Sequence, residues 1–201
     1  MGKLVWGVGF NDRTRPAKVD GKIVKEYQLW QDMLKRCFSE KYQTRYPTYK
    51  GCNVSDNFLH YSFFYDWCQE QIGFGKVDDK GRCWQLDKDL LFVDNKTYSE
   101  STCVFVPQEI NLFFNEYGNA RGEYPLGVYF NKASGKFQAR CCVNGVIRSL
   151  GYFNTPQEAF AVYKPFKENL CKQLALKWQS EIDERLFNAM MSWQVLYEKD
   201  S

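Results

Sequence analysis

The sequence predicts an α+β fold on three observations. Trp84–Asn111 (WQLDKDLLFVDNKTYSESTCVFVPQEIN) reads as two short strands running into a helix. Leu126–Leu150 reads as a three-stranded antiparallel sheet, and a helix with a complete start signal follows at Thr155. Upstream, Glu26–Tyr42 and Ser55–Gln71 carry apolar residues at helical spacing, so helices flank the first of these units.

Taken in order, Leu4–Phe10 alternates with glycines and predicts a short strand. A basic loop over Asn11–Lys25 follows, with Arg13, Arg15, Lys18 and a Val-Asp-Gly-Lys turn. In Glu26–Tyr42 the stripe Tyr27, Trp30, Leu34, Cys37 and Phe38 is that of an amphipathic helix covering a core. Lys35, Arg36 and Lys41 fall toward its other side and, with Arg45, are candidate phosphate contacts. Tyr46–Gly51 is a turn-rich connector. Ser55 or Asp56 caps a second helix, which runs to about Gln71 before Gly73 stops it and buries Phe58, Tyr61, Phe64, Tyr65 and Cys68. His60, the one histidine of the chain, sits in this helix among aromatics, a setting that favours packing over catalysis.

In Trp84–Asn111, the apolar Leu86, Leu90, Leu91 and Phe92 precede a turn at Asp94-Asn95-Lys96, and Cys103–Val106 is a second β-type run. Pro107 suits a first helical turn, where a missing N–H costs nothing, and Gln108 and Glu109 favour the positive end of the helix dipole. If hairpin and helix pack together, Asp87 and Asn111 converge on one hard cation through oxygen ligands, the donor set of Mg²⁺, and Mn²⁺ accepts the same atoms.

Gly118–Pro125 has linker composition. Beyond it, Leu126–Phe130 is a strand, Ala133-Ser134-Gly135 a turn and Lys136–Val143 a second strand, in which Phe137, Ala139, Cys141 and Val143 alternate with Gln138, Arg140 and Cys142. Asn144-Gly145 is a strong two-residue hairpin signal, and Val146–Leu150 completes the sheet. Thr155, Pro156 and Glu158 form a capping-box helix start, with Ala159, Val162 and Tyr163 laid on one sheet face. Pro165 should kink or end this helix, and Phe166–Trp178 resume it. Ile182, Leu186, Met190, Trp193 and Tyr197 recur at helical spacing in the tail, too short a stripe to demand a dimer.

At 201 residues the chain has room for one large domain or two small ones, and 44% hydrophobic with 17% aromatic content excludes disorder. It contains no apolar run of about 18 residues that would span a membrane. Met1–Phe10 lacks the length and flanks of a signal peptide, so a cytoplasmic location is expected. The eight cysteines contain no C-x-x-C pair, which argues against structural zinc and favours reduced, buried thiols. Net charge is only +3 but unevenly spread: eleven bases face five acids over Met1–Lys50, and five bases face one acid over Arg121–Leu150. Over Gln179–Ser201 the sign reverses, with five acids and two bases. Two basic segments could follow a phosphate backbone, although charges that merely solvate a surface give the same pattern.

The words LDKDLL, NKTYSESTC and FVPQEIN closely resemble the HNH endonuclease superfamily, in the phage-borne branch where LDK or LDR replaces the usual leading histidines. GVGFND, Trp30, MLKRC and Pro47-Thr48-Tyr49 resemble the leader of the same branch, so the likeness covers nearly everything before Tyr117. It implies a β-β-α metal nuclease core over 1–117, with Asp87 and Asn111 as metal ligands and Mg²⁺ (or Mn²⁺) as cofactor. Lys88 stands where better-studied members carry the water-activating histidine. A lysine near its ordinary pKa of about 10.4 cannot accept a proton at neutral pH. Lys88 is then expected to steady phosphate charge, leaving activation of water to the metal or an upstream group.

GVYFNKASGKFQARCCVNGVIRSLGYFNTPQEAFAVY in turn resembles the APETALA-type (ethylene-response-factor) DNA-binding domain, which lays its sheet in the major groove. The resemblance places Tyr129, Asn131, Arg140 and Cys142 on the DNA face. Gln138 shares that face, Lys136 reaches a phosphate, and Arg148 shares its parity with Leu150, which leaves its side open. Together the two likenesses imply a domain over 1–117, a linker over 118–125, a DNA reader over 126–178 and a helical tail over 179–201. The implied activity is a phage homing-type endonuclease acting on double-stranded DNA in the host cytoplasm, with no membrane and no small-molecule substrate. Lys35 and Arg36 would grip the backbone. The competing expectation is a DNA-binding protein that no longer cuts and acts as a regulator or on a host protein.

Overall fold

The computed structural model describes residues 4–115 and 123–197. Tyr117, residues 118–122 of the expected linker and residues 198–201 of the tail lie outside the described residues. The fold is mixed α+β, with helices and several small sheets, one of them three-stranded and antiparallel. Two compact units divide it: the described residues up to Gln108 joined by Glu181–Leu186, and Glu109–Ser180 joined by those from Phe187 onward.

The first unit opens with a turn where the glycine alternation predicts a strand. Trp6 and Gly7 adopt positive φ, 54° and 80°, and bring the amide of Gly9 within 2.8 Å of the Val5 carbonyl. Strands β1 (Lys18–Val19) and β2 (Lys22–Ile23) pair antiparallel around the expected turn, with Asp20 and Gly21 left-handed.

Helix α1 (Lys25–Phe38) is shorter than its stripe predicts. The chain breaks at Ser39, whose hydroxyl accepts the Tyr42 amide and starts α2 (Glu40–Arg45). Gln43 Nε2 meanwhile donates to the carbonyls of Cys37 (2.6 Å) and Arg36 (3.1 Å), satisfying the end of α1. A 3₁₀ turn, Pro47–Tyr49, leads to β3 (Asn53–Val54).

The predicted Ser55–Gln71 helix is likewise two: α3 (Asp56–Leu59), capped by Ser55 as expected, and α4 (Tyr61–Glu70). His60 sits at the break between them and not inside a helix, because Phe10 bridges there, donating to the Leu59 carbonyl and accepting the Tyr61 amide. The core of this unit is aromatic. Trp30, Phe58, Tyr61, Phe64 and Phe105 are fully buried, and the Trp30 indole donates to the Phe58 carbonyl at 2.7 Å.

Strand β4 (Gln85–Asp87) pairs antiparallel with β6 (Val104–Val106), with Leu86 opposite Phe105 and Asp87 opposite Val104. Between them, β5 (Thr97–Tyr98) runs parallel to β3, a long-range pairing that local patterning does not announce.

The second unit begins on α5 (Gln108–Asn115), starting after Pro107 as predicted. Its sheet is a meander of β7 (Val128–Asn131), β8 (Lys136–Val143) and β9 (Val146–Phe153) in the order β7-β8-β9. Asn144 and Gly145 both take positive φ, 54° and 78°, the geometry a two-residue hairpin requires.

Helix α6 (Pro156–Trp178) has the predicted capping box, Thr155 accepting from the Glu158 amide while the Glu158 side chain accepts from the Thr155 amide. It runs through Pro165 as one element. The bond that Pro165 cannot make would go to Ala161, and both residues are exposed, so water can take the orphan carbonyl.

Ala159, Phe160 and Tyr163 pack on Val128, Ala139 and Cys141; Val162, expected on that face, is exposed. Gly127 has φ +76° and lies against Tyr163 so closely that a Cβ would stand 2.2 Å from the ring. Helix α7 (Glu184–Ser192) carries the tail stripe, with Ile182, Leu186 and Met190 buried. The helix stops before Tyr197. Val195 enters the core of the second unit in irregular chain, its amide bonded to Glu168 and its carbonyl to Lys164.

Six of the eight cysteines are buried and none is bonded to another; Cys83 is exposed and Cys142 half-buried, contrary to a wholly buried set. Burial pushes the Cys37, Cys103 and Cys171 thiols up to about 12, so these are packing groups, not nucleophiles.

Candidate functional site

Asp87 ends β4, where the chain leaves the sheet into a polar loop. Its Oδ1 accepts the amides of Asp89 (2.8 Å) and Leu90 (3.1 Å), which fixes the carboxylate over the start of that loop. Oδ2 has no protein partner among the described residues. Burial raises the Asp87 pKa above the ordinary carboxylate range, with Asp89 adding to the rise and the two amides opposing it. A carboxylate held against burial, with one oxygen open, has the chemistry of a cation ligand.

Among the described residues no three His, Cys, Asp or Glu side chains cluster. A single carboxylate suits Mg²⁺ or Mn²⁺, since Mg²⁺ keeps several waters and takes one or two carboxylates plus phosphate oxygens. Asn111, the expected second ligand, is half-buried on α5 and belongs to the second unit, whereas Asp87 belongs to the first.

Lys88, expected beside a phosphate, is only 4% exposed. Its ammonium is bound by the Asp89 carboxylate, donates to the Asn95 carbonyl at 3.2 Å and lies 5.5 Å from the centre of the Tyr98 ring. Asn95 closes the arrangement by donating to the carbonyls of Lys88 (2.7 Å) and Thr97 (2.8 Å). Lys88 is therefore a clamp on the Asp87 loop, and its charge is already neutralised. Asn95 and Tyr98 are the residues that sequence reasoning missed: the turn at Asp94-Asn95-Lys96 was legible, but not that its side chains return to Lys88. His60 is exposed, with its ring edge-to-face on Phe10 at 5.7 Å.

Lys35 and Arg36 end α1 and lie over tyrosine rings, Lys35 at 5.1 Å from Tyr42 and Arg36 at 5.7 Å from Tyr49. The charge of Arg36 also acts on the buried Tyr98 hydroxyl, whose pKa burial raises and Arg36 pulls back down.

In the second unit the sheet face away from α6 carries Tyr129, Gln138 and Arg140, as the alternation predicts. Tyr129 lies opposite Gln138, which lies opposite Tyr152, and Arg140 lies opposite Ser149. The Arg140 guanidinium stands 5.2 Å from the Tyr129 ring centre, and its Nε donates to Gln138 Oε1 at 2.7 Å. Gln138 in turn donates to Ser149 Oγ at 2.7 Å. This leaves both Arg140 Nη groups without a protein partner among the described residues.

Gln138 is only 5% exposed and so positions Arg140 from below, where direct contact was expected of it. Asn131 has a structural task as well, its Oδ1 accepting the Ala133 and Ser134 amides of the turn. Lys136 is exposed opposite Asn131, and Cys142 is half-buried opposite the exposed Ile147. Arg148 does not share the face of Arg140. It lies opposite Cys141, whose side chain is in the core, and a bulge at Ala139/Arg140 turns Leu150 inward so that Ser149 and Tyr152 both face out. Ser149 and Tyr152 were not foreseen because that irregularity breaks the period of two.

Compared with known proteins, the chain matches no family model, no curated protein and no solved structure.

Proposed function

We propose that the chain is a metal-dependent endonuclease of the HNH type that hydrolyses phosphodiester bonds in double-stranded DNA, working in the cytoplasm of a phage-infected cell. The observation that carries this reading is Asp87, a carboxylate held by two amides and raised in pKa by burial, with Oδ2 open. Asp87 would hold Mg²⁺ or Mn²⁺, and Asn111 is the carboxamide that the family likeness assigns to the same ion. Bound there, the ion supplies Lewis acidity to a phosphate oxygen and acidifies water. Lys88, neutralised by Asp89 and tied to Asn95, keeps the Asp87 loop in one conformation. Arg140, seated on Tyr129 and Gln138, presents a guanidinium fork that matches two acceptors on a guanine edge. The APETALA-type likeness supports the same use of this face.

A second reading, a DNA-binding regulator that does not cut, is favoured by Lys88 standing where the HNH likeness places a histidine: the sole histidine of the chain is His60, at the α3–α4 break. Nicking of supercoiled plasmid separates the two. With Mg²⁺ the wild type should nick, and Asp87→Ala should lower the rate by on the order of 10³-fold or more while binding duplex in EDTA as before. An Asp87→Ala protein nicking at the wild-type rate removes the assignment. Duplex binding without nicking in either Mg²⁺ or Mn²⁺ selects the regulator. Asn111→Ala in the same assay tests the carboxamide.

A further inference from the structure

Lys35–Lys50 contains five bases and one acid, Glu40, and its aromatic residues are tyrosines interleaved with the bases apart from Phe38. The structure gathers them. The rings of Tyr42 and Tyr46 lie 4.7 Å apart and those of Tyr42 and Tyr49 lie 5.7 Å apart, one cluster on α2 and the 3₁₀ turn that follows it. Three cations lean on this cluster: Lys35 on Tyr42, Arg36 on Tyr49, and Arg45 on Tyr46 at 5.4 Å. Lys41 and Lys50 are exposed beside them in sequence.

Among the described residues, none of these five bases pairs with a carboxylate. Elsewhere in the same unit Arg15 is matched by Asp66, Arg82 by Asp78 and Lys76 by Glu181. A set of cations left without counter-charges, resting on tyrosine rings, is complementary to a polyanion. The exposed ring decides which polyanion. Tyr46 is 40% exposed, the largest apolar surface in the patch, and a duplex backbone offers it no base face to cover. An unpaired strand does: phosphates for the cations and a π-face for the ring.

We propose that this α2 face binds single-stranded DNA, with Tyr46 stacking on an unpaired base and Lys35, Lys41 and Arg45 following the phosphates. The inference rests on the function proposed above only for the choice of DNA over RNA, and it needs no metal at Asp87.

The test is fluorescence anisotropy of a labelled 16-nucleotide oligothymidylate, and of a 16-base-pair duplex, with the full chain in EDTA, so that its outcome is separate from cutting. Tyr46→Ala should weaken oligothymidylate binding about 10-fold, within the range for one lost stack, and change duplex binding by less than about 2-fold. Tyr46→Phe should restore binding. Arg45→Ala should lower the salt slope for the single strand by about 0.7, the value for one phosphate contact. The proposal is overturned by a wild type that ignores oligothymidylate, by a Tyr46→Ala protein that binds it unchanged, or by equal losses on single strand and duplex. Tyr46→Ala also loses the ring contact with Tyr42, so its melting temperature is measured beside that of Tyr46→Phe, and Arg45→Ala supplies an independent arm.

Discussion

The loop at Asp87 and the open face of the second unit's sheet each hold a cation in place, but by opposite means. At Asp87 the cation is Lys88, buried and neutralised by Asp89, and what is left open is a carboxylate oxygen. On the sheet the cation is Arg140, supported through Nε and the Tyr129 ring, with its Nη groups left open. The first arrangement leaves negative charge unpaired and the second leaves positive charge unpaired, which is what the proposed metal and nucleic-acid roles require. The difference teaches that a charged residue's role follows from which of its atoms the protein leaves unpaired.

The comparison breaks most forcefully at the backbone of the second unit. Gly127→Ala combines positive φ with a Cβ 2.2 Å from Tyr163 and should cost about 3 kcal/mol in urea unfolding. A smaller loss is expected at the other region. Lys88→Met keeps the bulk but leaves the Asn95 carbonyl without its charged donor, and should lower stability by about 2 kcal/mol. If Lys88 instead served a phosphate, activity would fall with stability intact.

Arg140→Ala should weaken duplex binding about 10-fold without altering Mg²⁺ affinity, and Gln138→Leu, which removes only the support, by less. The smallest effect concerns Asp183, at the start of α7. Burial pushes its pKa up, but the Arg185 side chain and amide outweigh that and hold it below the ordinary carboxylate value. A depressed folded pKa gives stability that is present above the unfolded value near 3.8 and lost as pH falls through the folded one. Asp183→Asn should therefore melt slightly lower at pH 7, by about 0.5 kcal/mol after screening of the half-exposed Arg185, and coincide with the wild type near pH 2.

Much of the second unit was legible because its signals are local. Asn144-Gly145 dictates a hairpin, the alternation of Phe137–Val143 assigns faces, and Thr155, Pro156 and Glu158 start a helix within four residues. The first unit yielded less. Glu26–Tyr42 and Ser55–Gln71 read as single helices and are each broken, once by the hydroxyl of Ser39 and once by a backbone bridge from Phe10. Neither break is visible in hydrophobic spacing, since one depends on a side chain choosing the backbone and the other on a partner some fifty residues away.

By itself the sequence determined the α+β class, the three strands and capped helix of the second unit, a strand that carries Asp87, though not its end there, and the helix after Pro107. Those follow from short-range steric and hydrogen-bonding preferences that act wherever the chain goes. Only the tertiary structure decided that Lys88 is spent on Asp89, Asn95 and Tyr98, that Gln138 supports where it was expected to touch, and that Arg148 lies on the sheet side opposite to Arg140. Each of these depends on which groups meet across the fold, because a polar atom is available to a ligand only when no nearer partner within the protein has already satisfied it.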